Sequence, residues 1–323
     1  MVERLKIAVA KARAEREQVT PAPAPDPFAA LKYEARASEP CADKETPRPA
    51  ARAVPAPDPV PAPEIQAASA PSPDQTPETP DAAPAPDAAW AALEPVTLDA
   101  KHLERNRIIT ESRSDPAHVA FDVLRTRILR VFAKHGWTRM GITSPTKACG
   151  KTFVSANLAL SLARQKGCRT ILMDLDLRAP SLGKVLGVKD PDPMSWFLAG
   201  DVAATGHLQR VGDNLALGLN DKKAPNPAET LLAPQAATAL SAMHETLTPD
   251  IVIYDLPPML SCDDVLGFLP QLDCVLLVVG GGTTRPAEVT ECERLLADQT
   301  HLLGVLLNKG EDAATGRYGY EGG

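Results

Sequence analysis

The chain has 323 residues, with 34 lysines and arginines against 41 aspartates and glutamates. Because basic side chains supply most non-specific affinity for DNA, this acidic balance disfavours a DNA-binding surface. Apolar runs such as Cys274–Val279 have six residues, whereas a membrane span needs ~18 to 20. Residues 1–19 are too charged for a signal peptide. The six cysteines form no CxxC pair, which predicts reduced thiols rather than disulfides or structural zinc.

The first 100 residues differ in composition from the rest. Residues 1–19 contain good helix formers with apolar residues at helical spacing, which predicts a short helix, either solvated or docked on a partner. Of the 32 prolines, 19 lie between Pro21 and Pro95. Ala-Pro steps prevent helix propagation, and alanine buries too little surface to offset the ordering entropy. Residues 20–100 are therefore predicted to be a long disordered Pro/Ala-rich linker.

Residues 101–310 are predicted to form one folded domain, followed by a flexible tail over 311–323. Short apolar strands are expected at Met140–Thr143, Thr170–Leu175, Leu215–Leu219, Ile251–Asp255, Cys274–Val279 and Leu303–Asn308. Helical patterns occupy 118–134, 152–166, 228–247, 263–270 and 286–299. Strands that alternate with helices predict an α/β fold, a mainly parallel sheet with helices on both faces. In such sheets the ligand lies at the carboxyl ends of the strands.

A loop typical of phosphate binding follows the first of these strands. Gly150-Lys151-Thr152 matches the end of a Walker A motif and precedes a helix, although the first glycine of that motif is absent. A loop that enters a helix directs several backbone N–H groups at one point, where the helix dipole adds positive potential. Lys151 is expected to reach the phosphates of ATP and Thr152 to bind Mg²⁺. The other loop residues expected at the nucleotide are Ser144, Thr146, Lys147, Ala148, Cys149 and Gly150.

Three aspartates end the neighbouring strands. Asp174 and Asp176 lie at the carboxyl end of the second strand, and because they are two residues apart both can face the phosphate loop. Asp255 follows four apolar residues, the Walker B pattern, whose carboxylate holds Mg²⁺ directly or through water. A helix N-cap explains any one of them equally well. Together with the GKT sequence, however, three carboxylates at one edge predict a site for ATP and Mg²⁺, since buried unpaired charge is costly.

These motifs together resemble the bacterial tyrosine kinases, relatives of the ParA/MinD class of P-loop ATPases, over about residues 118–309. The resemblance rests on S-P-T-x-x-x-G-K-T at Ser144–Thr152, D-x-D-x-R-x-P at Asp174–Pro180, D-x-P-P at Asp255–Pro258, N-P-A-E-T-L-L at Asn226–Leu232, and Leu307-Asn308. It implies a P-loop fold and a kinase that autophosphorylates C-terminal tyrosines, with Tyr318 and Tyr320 as the acceptors here. The process implied is exopolysaccharide or capsule synthesis.

The resemblance also implies roles for single residues. Lys151 and Thr152 would bind phosphates and metal, and the carboxylates of Asp176 and Asp255 would hold Mg²⁺. Asp174 would orient or deprotonate the acceptor tyrosine. Arg178 would steady the phosphates or an opposing subunit, and Asn308 would contact adenine. The implied partners are further copies of the chain and a membrane polysaccharide co-polymerase, which would recruit this cytoplasmic chain to the inner membrane face.

The sequence departs from the family pattern at several places. Lys147-Ala148-Cys149 replaces the usual Pro-Gly and acidic residue, so the Ala148 N–H is expected to serve the loop only at negative φ. Of the ring-forming E-x-x-R-x-x-R motif only Arg125 is present, which leaves an octameric ring unsupported. Two alternatives therefore stay open: a ParA/MinD-like ATPase switched by nucleotide, and a non-catalytic adaptor that binds nucleotide.

Overall fold

A computed structural model describes residues 86–108 and 116–310. Its sheet has the strand order β1-β4-β5-β3-β6-β2-β7-β8. The pairs are parallel except for β4 and β5. The strands are β1 (Glu94–Pro95), β2 (Arg139–Thr143), β3 (Thr170–Asp174), β4 (Gln209–Val211), β5 (Leu215–Gly218), β6 (Ile251–Asp255), β7 (Cys274–Gly280) and β8 (His301–Asn308). The predicted mainly parallel α/β fold is therefore confirmed.

Helices connect most of these strands. They are α1 (Pro86–Ala91), α2 (Ala100–Arg105), α3 (Pro116–His135), α4 (Lys151–Ala163), α5 (Leu182–Leu186), α6 (Met194–Ala199), α7 (Ala204–His207), α8 (Pro227–Leu232), α9 (Pro234–Leu247), α10 (Asp264–Phe268) and α11 (Pro286–Leu296), with a 3₁₀ turn at Leu269–Gln271. The sequence analysis missed the short helices α5, α6 and α7, because runs of four to six residues are too short for a periodic signal.

The central strands are apolar on both faces because each face is covered by helices. On β6, Ile251 and Ile253 belong to one apolar cluster, while Val252 and Tyr254 belong to the other. The first cluster includes residues of α3 and α4, and the second includes residues of α9 and α10. This arrangement explains the near-continuous apolar strands, which alternate between two buried faces rather than between core and solvent.

The folded part begins earlier than the predicted boundary at residue 101. Helix α1 and strand β1 lie within the expected linker, and the side chains of Trp90 and Leu93 are buried in the core. The indole N–H of Trp90 also donates to the carbonyl of Asp213 at 2.8 Å. The prediction failed because the many prolines in this region obscured a short folded stretch whose Trp90 side chain packs in the core. The predicted helix over residues 1–19, and most of the linker, lie outside the described residues.

The predicted helix over 228–247 is wrong, since the structure breaks it into α8 and α9. The break falls at Ala233, whose backbone is extended, with φ −60° and ψ 137°. Pro234 causes it, because the proline ring disfavours helical geometry at the preceding residue and supplies no N–H to continue the helix. The break sets α8 and α9 as separate helices, each with a proline in its first turn.

Candidate functional site

Four predicted residues lie together at the carboxyl ends of the central strands. Asp174 ends β3 and pairs in register with Asp255, which ends β6. Lys151 begins α4, and its Nζ lies 2.8 Å from Oδ2 of Asp176 and 3.7 Å from Oδ2 of Asp255. The parallel order of β2, β3 and β6 explains this convergence, because the carboxyl ends of neighbouring parallel strands share one edge.

Asp255 is held by two hydroxyl groups of helix α4. The Thr152 hydroxyl donates to Oδ2 at 2.7 Å, and the Ser155 hydroxyl donates to Oδ1 at 3.0 Å. Burial raises the pKa of Asp255, although Lys151 and the two hydroxyls act in the opposite direction. Ser155 was not among the predicted residues, although its spacing is a usable signal: three residues after Thr152, it lies on the same face of the helix.

Asp174 organises the turn that follows β3. Its Oδ2 accepts the backbone N–H groups of Ser181 and Leu182, both at 2.9 Å, and its Oδ1 accepts that of Asp176 at 3.2 Å. Burial and the nearby Asp255 carboxylate raise the pKa of Asp174 to about 7, although these amides favour its charged form. Both oxygens of the Asp174 carboxylate therefore already accept hydrogen bonds from backbone amides.

The cluster carries more negative than positive charge. Burial alone would lower the pKa of Lys151, but the carboxylates of Asp255 and Asp176 raise it, so the ammonium stays charged among three carboxylates. A divalent cation suits this excess, and the Thr152 hydroxyl beside two carboxylates gives the oxygen ligands that Mg²⁺ prefers. Within residues 86–108 and 116–310 no three acidic, His or Cys side chains form a metal cage. None is needed, because Mg²⁺ in nucleotide sites takes one or two carboxylates plus phosphates and water.

The phosphate loop contains an alanine in a backbone conformation that usually belongs to glycine. Ala148 has φ +64° and Gly150 has φ +90°. The condition under which the Ala148 N–H was expected to serve the loop, a negative φ, is therefore not met. A non-glycine residue in the left-handed region costs ~1–2 kcal/mol. Two contacts form within the loop: the Ser144 hydroxyl and the Cys149 thiol both donate to the carbonyl of Thr146, at 2.8 and 3.2 Å. Lys147 is exposed.

Two predicted ligand residues contact protein groups in the structure. The guanidinium of Arg178 binds the fully buried Asp264 through two hydrogen bonds of 2.7 and 2.8 Å. Asn308 donates from Nδ2 to the carbonyl of Cys149 at 2.9 Å. The sequence analysis missed Asp264, although it closely follows the D-x-P-P motif. Arg178 thus connects the turn after β3 to the segment after β6.

The remnant of the ring motif is used within the chain. Arg125 donates to Oδ1 of Asp122 and to the carbonyl of Ser161, both at 3.0 Å, and so connects α3 to α4. Val119, at the glutamate position of the motif, is 61% exposed. Nothing in these contacts adds support for a ring.

The proposed phosphoacceptors Tyr318 and Tyr320 lie outside the described residues. Tyr254 is buried on β6 with its ring edge-on to Phe268, as expected for a structural tyrosine. In the described part of the chain, no helix is both long and apolar enough to cross a membrane.

Comparisons with known proteins agree with this geometry. Over 223 residues the chain is 28% identical to the tyrosine-protein kinase YwqD of Bacillus subtilis, covering 68% of this chain and 92% of the relative. The kinase domain of the Escherichia coli tyrosine kinase ETK superposes with a TM-score of 0.58 and 27% identity, covering 66% of this chain and 84% of that domain. The chain is therefore similar to bacterial tyrosine kinases in sequence and in fold. No protein-family model matches it.

Other bacterial tyrosine kinase relatives are much longer. A protein from the cps region of Klebsiella pneumoniae is 31% identical over 217 residues, which cover 66% of this chain but only 29% of that relative. The chain thus spans less than a third of the first relatives it matches.

Proposed function

We propose that this chain is an ATP-dependent protein-tyrosine kinase that phosphorylates its own C-terminal tyrosines. The observation that carries the proposal is the position of Lys151: it begins the helix after the phosphate loop, within 4 Å of Asp176 and Asp255. A lysine at this point reaches the β and γ phosphates in P-loop sites. The similarity to YwqD and ETK supports tyrosine as the acceptor.

Each residue then has a defined task. Thr152, Asp176 and Asp255 would hold Mg²⁺, which supplies charge neutralisation of the phosphates when it is bound. Binding of nucleotide would draw the Lys151 ammonium from the carboxylates to the phosphates, since both compete for the same charge. Ser155 would keep Asp255 in place when the Thr152 hydroxyl turns to the metal, because it donates to the other carboxylate oxygen.

Asp174 would orient or deprotonate the acceptor hydroxyl of Tyr318 or Tyr320. A pKa of about 7 suits a general base near neutral pH. The carboxylate is buried and bound to the amides of Ser181 and Leu182, so this task requires the turn after β3 to open and release one oxygen. We infer that the acceptor tyrosine approaches from the side of this turn.

The biological setting is part of the same proposal. The similarity to a protein from a cps region supports a role in capsule or exopolysaccharide synthesis. In that setting the chain would regulate polymerisation and export of the polysaccharide. A membrane polysaccharide co-polymerase would activate the chain and bring it to the inner face of the membrane from the cytoplasm. Further copies of the chain would receive or supply the tyrosine tail.

The experiment compares purified wild type, Lys151→Met, and the exposed control Lys166→Met after incubation with ATP and Mg²⁺. Mass spectrometry should find phosphotyrosine at Tyr318 or Tyr320 in wild type and control, and a loss of more than about 100-fold in Lys151→Met, because phosphate positioning supplies most of the catalysis. Phosphotyrosine that persists in Lys151→Met, or maps elsewhere, would contradict the proposal.

The same assay separates the two alternatives. Inorganic phosphate released without labelled protein would favour a nucleotide-switched ATPase of the ParA/MinD kind, especially if deletion of residues 317–323 changes nothing. Bound nucleotide with neither product would favour an adaptor. An adaptor would also keep its partner function after Asp174→Asn and Asp176→Asn.

A further inference from the structure

The end of strand β8 grips the phosphate loop at two successive carbonyl groups. Nζ of Lys309 donates to the carbonyl of Ala148 at 2.8 Å, and Nδ2 of Asn308 donates to that of Cys149 at 2.9 Å. The two donors are adjacent in the chain, as are the two acceptors, although 159 to 161 residues separate them. We call Asn308 and Lys309 the loop clamp.

The loop clamp rests on a rigid base. Asn308 is the last residue of β8 and pairs in register with Gly280 of β7. Its carbonyl accepts the N–H of Gly281 at 2.7 Å, and a Cβ on Gly281 would lie 2.5 Å from the carbonyl oxygen of Lys309. The close approach of the Gly281 backbone therefore fixes the main chain from which both donors extend.

Gly150 leaves the space that the Asn308 side chain of the loop clamp occupies. A Cβ at this position would lie 2.1 Å from Nδ2 of Asn308, and the φ of +90° is one that side chains disfavour. Glycine is thus required here for the contact with Asn308 as well as for the backbone conformation. The loop and the end of β8 fit each other through this missing side chain.

The contacts determine which way two peptide groups face. In a trans peptide the C=O of one residue and the N–H of the next point in opposite directions, and the described residues contain no cis peptide. Holding the carbonyls of Ala148 and Cys149 towards β8 therefore directs the N–H groups of Cys149 and Gly150 away from it. We propose that Asn308 and Lys309 are positioning residues that aim these two amides at the nucleotide phosphates.

This inference rests on the proposed nucleotide site and assigns Asn308 a different task from an adenine contact, since its donor group is already used on the loop. The clamp also offsets the unfavourable conformation of Ala148, whose carbonyl Lys309 holds. Loss of either donor would let the two peptide groups rotate. Nucleotide binding through the phosphates would then become weaker, and the identity of the base would make no difference.

The test uses the full chain and two probes, Mg²⁺ with ATP and Mg²⁺ with inorganic tripolyphosphate, whose affinities are measured by calorimetry. Asn308→Leu and Lys309→Met remove one donor each at nearly constant size, and Asn308→Leu is the decisive variant because it changes no charge near the phosphates. Each should weaken both probes by about the same factor, roughly tenfold, as expected for about 1.4 kcal/mol. Lys309→Arg, which retains a donor, should restore most of the affinity, and Lys166→Met should leave both values unchanged.

The outcomes separate this inference from the proposed function. If wild type binds neither probe, the nucleotide site itself is wrong. If wild type binds both and the clamp variants bind them equally well, the clamp is overturned while the site stands. A loss for ATP with unchanged tripolyphosphate affinity would also overturn it, since Asn308 would then contact the base.

Discussion

An aspartate lies at each end of strand β6, and the two aspartates differ in burial and in the groups that surround them. Asp250, just before the strand, is exposed and accepts the backbone N–H of Arg169 at 2.7 Å. Asp255, at the other end, is fully buried with Lys151, Asp176 and two hydroxyls around it. The first carboxylate ties two segments together at the surface. The second lies in a cluster with excess negative charge.

An aspartate at the edge of a sheet is therefore not enough to make a ligand-binding site. Asp250 is solvated, so its charge costs little and needs no further ligand. The carboxylates of Asp174, Asp176 and Asp255 share a single ammonium in a buried place, and uncompensated buried charge is costly. A divalent cation such as Mg²⁺ would offset this excess of negative charge, in line with the nucleotide site that we propose.

Among the substitutions near the two ends of β6, Lys151→Met is expected to have the largest effect on the free energy of unfolding. Removal of the only ammonium leaves three carboxylates together, which should lower the free energy of unfolding by about 3 kcal/mol near pH 8, within the range for broken buried pairs. Lys166→Met, on the exposed surface, should change it by less than about 0.5 kcal/mol. Urea unfolding measures both. Equal stability of the two variants would mean that the cluster is not charged as described.

The next effect is a pH dependence of stability that arises at the buried end of β6. The pKa of Asp174 rises from 3.8 to about 7 on folding, so the folded protein binds a proton that the unfolded chain releases between about pH 4 and 7. Stability without nucleotide should therefore fall as pH rises through this window, by more than about 1 kcal/mol.

Asp174→Asn should reduce that slope, and the remainder should come from Asp255, whose pKa burial also raises. Thermal unfolding at pH 5 and pH 7.5 gives the comparison, with Asp250→Asn as the control. A slope as steep in Asp174→Asn as in wild type would assign the proton to another group.

A smaller effect is expected at the amino end. Asp250→Asn keeps an oxygen that accepts the N–H of Arg169, so the free energy of unfolding should drop by less than about 1 kcal/mol. Amide hydrogen exchange at Arg169 should stay protected. Exchange that becomes fast, or a loss as large as that of Lys151→Met, would remove the contrast between the two ends of β6.

The smallest effect concerns strain in the phosphate loop. Ala148→Gly removes the Cβ that disfavours a φ of +64°, and should raise the free energy of unfolding by about 0.5 kcal/mol after the larger backbone freedom of glycine in the unfolded chain is counted. Urea unfolding again measures it. Destabilisation instead would show that the alanine side chain makes a favourable contact that outweighs the strain.

Much of the fold could be predicted from the sequence because its signals are local. The apolar strands ending in Asp174 and Asp255, and the Gly150-Lys151-Thr152 turn into a helix, place their residues by spacing alone. The start at Trp90 and the break at Ala233 were missed. In the first, composition obscured one anchoring residue; in the second, the helical pattern was followed through a proline.

The sequence predicted which residues form the site, but not which groups some of them contact. Lys151 and the aspartates converge because parallel strands share an edge, a rule that needs no coordinates. The partners of Arg178 and Asn308 come from distant segments, at Asp264 and Cys149. No local spacing encodes such a pairing. The backbone state of Ala148 likewise depends on what holds the loop from outside.

We propose that the buried carboxylates and Lys151 form a site for Mg²⁺ with ATP. The most direct test is calorimetric titration of ATP with and without Mg²⁺, for wild type and Asp255→Asn. Wild type should bind ATP at least about tenfold more tightly with Mg²⁺, and the variant should lose most of that difference. ATP binding to wild type that is absent, or that is indifferent to Mg²⁺, would contradict the account.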